Sequence, residues 1–212
     1  MAPVPANVEA IMVQRLPPPA ILLLVILAFG LAACTTEPPP RPTFPEIRFT
    51  EKPPLALDVK EIRIEDRYVP PLQPPHVEHR SPLPPADVAQ RWAEDRLKAV
   101  GRFGVALVVI EEASVVAKPL PVDTGFRGLF KREQAEELSG RLKMRVEVPG
   151  DGGMRGGFAE AEATARRTVP EEVSLNRRDE IYYELTQDLA RQLDGVMEAA
   201  IRQHLNLLVR SP

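Results

Sequence analysis

The chain has a single cysteine among its 212 residues, which excludes an intramolecular disulfide and leaves stability to packing. Surplus positive charge is also missing: 27 Lys and Arg against 30 Asp and Glu give a formal net charge of -3, whereas a nucleic-acid binder would be expected to carry a basic face. The apolar run Ala20 to Leu31 falls short of the about 20 residues a membrane-spanning helix needs, and Pro17-Pro18-Pro19 and Pro38-Pro39-Pro40 bound it. No serine sits in a nucleophile elbow, and the three histidines lack acid and nucleophile partners at triad spacing. The glycine-rich stretch Gly150 to Gly157 lacks the lysine and serine of a phosphate-binding loop and is followed by a strand-like pattern, so it reads as a hairpin.

What is present is concentrated around that cysteine. Arg15 supplies a positive leader, Ala20 to Leu31 an apolar h-region, and Leu31-Ala32-Ala33 a small-residue approach to Cys34. This arrangement resembles the bacterial lipobox. The resemblance implies cleavage between Ala33 and Cys34, a diacylglyceryl group on the thiol, and acylation of the new amine, with a fatty acid such as palmitate. Cys34 then links the protein to a membrane. Thr35 stands where an aspartate would favour inner-membrane retention, so in a Gram-negative organism the resemblance implies sorting to the outer membrane, on its periplasmic face. Translation from Met12 would leave a more ordinary signal peptide than translation from Met1.

Composition divides the chain into a signal peptide at 1–33, a lipidated proline-rich tether at 34–54, a domain at 55–205 and a tail at 206–212. Roughly 180 residues after the signal are enough for one domain with a modest core. Leu55, Leu57 and Val59 alternate with polar residues, and Ile62 and Ile64 continue in the opposite phase, so 55–68 is expected as a strand with a bulge near Lys60-Glu61. A proline-rich loop from Val69 leads to Pro84-Pro85, which opens a helix whose apolar face is Val88, Trp92, Ala93, Leu97 and Val100, stopping at Gly101.

The β-branched run Val105 to Ile110 predicts a strand continuing through Ala117. After a polar stretch from Pro119 to Glu137, Leu142, Met144, Val146 and Val148 alternate with charges and predict another. The alanines 159, 161, 163 and 165 alternate strictly and predict a strand whose small face lets a helix approach. From Asn176 to about Leu205, Ile181, Leu185, Leu189, Leu193, Val196, Ala200 and Ile201 recur at helical spacing, with Asn176 as expected N-cap.

The fold expected is α+β, in the order β-α-β-β-β-α. A four-stranded, mainly antiparallel sheet carries both helices on one face. With the segment Arg91-Trp92-Ala93-Glu94-Asp95-Arg96-Leu97 placing an aromatic in the first helix, this order resembles the small envelope lipoproteins of lipopolysaccharide assembly and the auxiliary lipoproteins of ABC lipid transporters. The resemblance implies a non-catalytic domain that binds an envelope membrane-protein complex or a lipid. It implies no particular binding residues.

Candidate chemistry is sparse. His76-Val77-Glu78-His79 is the densest ligand-type cluster, but it lies in a proline-rich loop without a further ligand, so neither a metal nor a cofactor is expected. Glu111-Glu112, Glu136-Glu137 and Glu171-Glu172 read as solvated carboxylate pairs, and Trp92 as core. In the loop Val122 to Arg132, Phe126, Leu129 and Phe130 alternate with Arg127, Lys131 and Arg132. Apolar residues on a polar connector suggest a docking tip, with sheet edges as the other expected contact surface. The function expected is a lipid-anchored binding or assembly module of the cell envelope, not an enzyme. A periplasmic hydrolase of envelope polymers is the alternative.

Overall fold

Strand β4 (Val105–Pro119) runs through the middle of the domain because its β-branched residues are covered on both sides of the chain by neighbours. The computed structural model describes residues 43–121, 134–150 and 156–210. The other elements, in chain order, are β1 (Leu55–Leu57), β2 (Glu61–Asp66), a 3-10 turn Glu78–Arg80, α1 (Pro85–Arg96), β3 (Leu97–Ala99), β5 (Gln134–Val148), β6 (Gly157–Pro170), α2 (Leu175–His204) and β7 (Val209–Arg210). The main sheet has the order β2-β4-β5-β6, and a smaller one the order β3-β1-β7. Strands β4, β5 and β6 are antiparallel neighbours. Strand β2 is parallel to β4 because α1 intervenes between them. The fold is therefore the expected α+β class, with both helices on one face of a mainly antiparallel four-stranded sheet.

Alternation decides that face. Ala106, Val108, Ile110, Leu142, Met144, Val146, Ala159, Ala161 and Ala163 point to the helices and join Val88, Trp92, Leu189, Leu193 and Met197 in the main core cluster. The alanines on β6 bring α2 close. At Gly140 of β5 a Cβ would sit 2.8 Å from Leu189 Cδ1, so no side chain is accommodated without displacing that leucine. A second cluster of Val115, Leu138, Val169, Ile181, Tyr182 and Leu185 fills the end nearer the start of α2.

Several local expectations are corrected. The strand expected at 55–68 is two strands in two sheets: Val59 N donates to Leu57 O at 2.8 Å, a tight three-residue turn that carries the chain from one sheet to the other. The phase change of the apolar residues marks that crossing, not a bulge. Helix α1 stops at Arg96, where Leu97 is already extended and pairs with Leu55 in parallel. Leu97 and Val100 thus leave the helix, and Val100 is exposed. Gly101 is not a helix stop. A Cβ there would lie 2.5 Å from the Asp58 carbonyl carbon and 2.6 Å from Val59 N, so backbone passes where a side chain would be.

The cap of α2 is Ser174, whose Oγ accepts from Arg177 N at 3.2 Å, rather than Asn176. Strand β5 begins at Gln134, well before Leu142, because Leu138 and Gly140 pair with Ala117 and Val115 and face the second cluster. At the margins, residues from Phe44 pack on the domain, and Val209–Arg210 pairs with β1, so both the expected tether and the expected tail contribute to the folded unit.

Candidate functional site

The segment entering the domain from the expected anchor lies as an arm along the two helices. Phe44 stacks on Tyr183 with ring centroids 4.8 Å apart, and Tyr183 donates its hydroxyl to Pro45 O at 2.8 Å. Arg48 forks onto Asp95 of α1 at 2.9 and 2.6 Å, and Phe49 N donates to the same carboxylate at 2.9 Å. Phe49 itself is buried. A cleft of about 410 Å³ between the arm and α2 is lined by Ile47, Arg48, Lys52, Tyr183, Gln187 and Asp194, among others.

The arm ends on a buried polar node. Arg96, 1 % exposed, donates to Asp194 Oδ1 at 2.8 Å, to Glu198 Oε2 at 2.5 Å and to Pro53 O at 2.5 Å. Trp92 Nε1 donates to Asp194 Oδ1 at 3.1 Å, and Lys52 Nζ to Asp194 Oδ2 at 2.7 Å. One guanidinium therefore ties α1, α2 and the arm together, its fork filled by three acceptors. Sequence reasoning missed this node. Its signal is a lone arginine and a lone aspartate on otherwise apolar helix faces, Arg96 between Ala93 and Leu97, and Asp194 beside Leu193 and Met197.

The node gives the domain an acid-sensitive hold on its arm. Burial alone would raise the Asp194 carboxyl, but Lys52, Trp92 and Arg96 outweigh it and hold the group below its ordinary value. Asp95 is held down chiefly by the Arg48 hydrogen bonds. A depressed folded value means stability that is full above the unfolded carboxylate range and is lost as pH falls through the folded pKa. Stability is expected to fall steadily below about pH 4, with Asp194→Asn flattening part of that fall. Urea midpoints measured from pH 2 to 7 check it, and an unchanged slope in the variant would refute it.

Elsewhere, Glu78 is buried and accepts from the Tyr68 hydroxyl at 3.0 Å and from Val115 N at 3.2 Å. Burial, then Glu78, push the Tyr68 phenol up. His76 stands beside it, with Nδ1 3.8 Å from Glu78 Oε2, and pairs its backbone region with Val116 along β4. His79 is exposed and lines, with Tyr68, Asp66 and Asp87, a cleft of about 300 Å³. The side chains of this ligand-type sequence cluster are thus split, with Glu78 turned inward as a hydrogen-bond acceptor. Among the described residues no three His, Cys, Asp or Glu side chains converge on a metal position.

The sheet face away from the helices carries a charge ladder. Lys143 bridges Glu111 at 2.9 Å and Glu160 at 3.0 Å, Arg141 reaches Glu162 at 3.5 Å, and Arg145 pairs with Glu147 at 3.2 Å while covering the Phe158 ring at 3.8 Å. Glu111 is therefore a cross-strand partner, and Glu136 pairs with Arg178 at 2.6 Å. Trp92 is fully buried. At the free edge of β6, Thr164 N donates to Gln192 Oε1 of α2 at 2.8 Å, so the helix covers part of the expected docking edge.

Ala33, Cys34, Phe126, Leu129 and Phe130 lie outside the described residues. The loop that holds the three apolar residues leaves from Leu120, whose N–H donates to Ala135 O at 2.8 Å, at the end of the sheet near the start of α2. No helix among the described residues is long and apolar enough to cross a membrane.

No protein-family model matches the chain, and no curated protein does. Among solved structures, it is similar to a minor lipoprotein from Acinetobacter baumannii, with 15% identity and a TM-score of 0.33, covering 74% of this chain and 99% of that one. It is also similar to a Xanthomonas campestris protein of the DUF330 family, with 8% identity and a TM-score of 0.30, covering 77% of this chain and 93% of that one.

Proposed function

We propose that this chain is a lipid-anchored envelope protein, held by Cys34 on the periplasmic face of the outer membrane, whose α+β domain is a non-catalytic binding or assembly module for a membrane-protein complex or a lipid. The observation that carries this reading is the sequence Leu31-Ala32-Ala33-Cys34 behind its apolar run. Two or three acyl chains hold far more firmly than one. Confined to a thin layer, the domain meets a membrane-bound partner at high effective concentration. The clamped arm supports the reading mechanically, since a load at Cys34 passes through Phe44, Arg48 and Lys52 into both helices. The most buried carboxylates among the described residues, Glu78, Asp95 and Asp194, are occupied by structural hydrogen bonds, which favours binding over acid-base chemistry.

Replacing the thiol tests it. In cells, the native chain is expected in the membrane fraction and labelled by radioactive palmitate, and Cys34→Ser is expected to lose the label and move almost wholly to the soluble fraction. A native chain that starts elsewhere than Cys34 and stays aqueous would overturn the reading.

A further inference from the structure

One end of the domain combines protruding apolar side chains with unpaired cations. Phe103, in the turn between β3 and β4, is 78% exposed, Leu207, between α2 and β7, is 68% exposed, and Phe158 at the start of β6 is 50% exposed. Hydrogen bonds place their segments side by side. Lys60 N donates to the carbonyls of Phe103 and Gly104 at 3.0 Å, Asp58 N donates to Leu208 O at 2.8 Å, and a Cβ on Gly157 would meet Leu205 Cδ2 at 3.1 Å. Gly104 has φ 77°, the left-handed turn that projects Phe103 outward.

The charges at this end do not cancel. Lys60 and Arg102 are exposed and have no carboxylate partner among the described residues. The nearby acids are taken: Asp58 by Arg210 at 2.8 Å and Glu61 by Arg63 at 2.7 Å. Arg145, over the Phe158 ring, is already paired with Glu147 and adds no net charge, so the excess rests on Lys60 and Arg102. On a chain of net charge -3, this is a local positive excess, in contrast with the paired ladder on the sheet face.

We propose that this end, through Phe103, Leu207 and Phe158 with Lys60 and Arg102, is a contact for an anionic phospholipid surface that does not depend on lipidation. The apolar groups stand out as separate knobs rather than lining a groove, which suits insertion among headgroups. The flanking cations supply the attraction to anionic lipid. The site lies far from where the arm begins. Phe44 rests on Tyr183, and Tyr183 and Leu205, the C-cap of α2, are 22 residue steps apart, about 33 Å at 1.5 Å per residue.

Vesicle co-sedimentation of the chain from residue 34 onward with Cys34→Ser tests this without the acyl groups, and the compact unit Arg41–Pro212 is retained. Binding is expected to phosphatidylglycerol vesicles and not to phosphatidylcholine vesicles, weakening with salt. The double variant Phe103→Ser/Leu207→Ser is expected to bind at least about tenfold more weakly, and Lys60→Glu and Arg102→Glu each at least roughly fivefold. Leu175→Ser, 81% exposed at the other end of α2, should change nothing. Phe103→Trp is expected to give a blue-shifted emission on phosphatidylglycerol. No sedimentation at low salt, or undiminished binding by the Phe103/Leu207 variant, would overturn the proposal. Neither result bears on the Cys34 anchor, which this experiment leaves out.

Discussion

Arg96→Ala is expected to cost about 3–5 kcal/mol of folding stability at neutral pH, the range for removing one partner from a buried charge network. The reason is what stays behind. Asp194 and Glu198 have side chains only 16% and 20% exposed; Glu198 would lose its shortest cationic contact and Asp194 its buried one, while Pro53 O lost its donor. Lys52 remains on Asp194, but it is half exposed and screened by solvent. Arg96→Lys should recover only part of the loss, because one ammonium cannot present a planar fork to three acceptors on three segments. The arm should loosen along with the core, so proteolysis near Lys52 should accelerate. Urea unfolding gives the stability, and a loss under about 1 kcal/mol would show that the node is dispensable.

Trp92→Ala is expected to cost a comparable amount, about 3–5 kcal/mol. Its ring is fully buried in the main cluster, between β-sheet residues and α2, so truncation leaves a cavity that helices pinned by Arg96 cannot close. Trp92→Phe separates the two contributions. It keeps most of the apolar volume and removes the donor to Asp194, for an expected cost of about 1–2 kcal/mol. Because Trp92 and Arg96 share Asp194 Oδ1, the double variant with Arg96→Ala should lose less than the sum of the two single losses. Strict additivity would mean that the shared carboxylate is not the coupling between them. Unfolding of these variants has to be followed by circular dichroism, since Trp92 is the chain's one tryptophan.

The elements legible in the sequence are those whose periodicity reports burial directly. Strands β4 and β6, helix α2 and the second half of β5 each carry one apolar face or a largely β-branched stretch, and that pattern has one low-energy solution. Short elements were not legible. Leu55–Leu57 and Leu97–Ala99 hold three residues each, too few for a period to distinguish a strand from the end of a helix. They exist because each supplies the other's backbone partner across 42 residues of sequence. The charges at Arg141, Lys143, Arg145 and Glu147 on β5 read as a wet face, whereas their cross-strand pairings depend on register, which no single strand specifies.

The candidate sites divide in the same way. The processing signal proposed at Cys34 is contiguous in the sequence, so proposing it needs no fold. Phe103 and Leu207 lie in two separate connections and Phe158 at the start of β6, and only the packing of the two sheets against α2 brings them to one end.

What the amino-acid sequence alone determined was the fold class and the faces that turn inward, because hydrophobic periodicity is a local property, and the contiguous motif behind the Cys34 proposal is local in the same way. Tertiary structure decided where the N-terminal arm of the domain lies, how Arg96 is satisfied and which exposed residues become neighbours. Those outcomes rest on contacts between distant segments, whose energies belong to neither segment by itself.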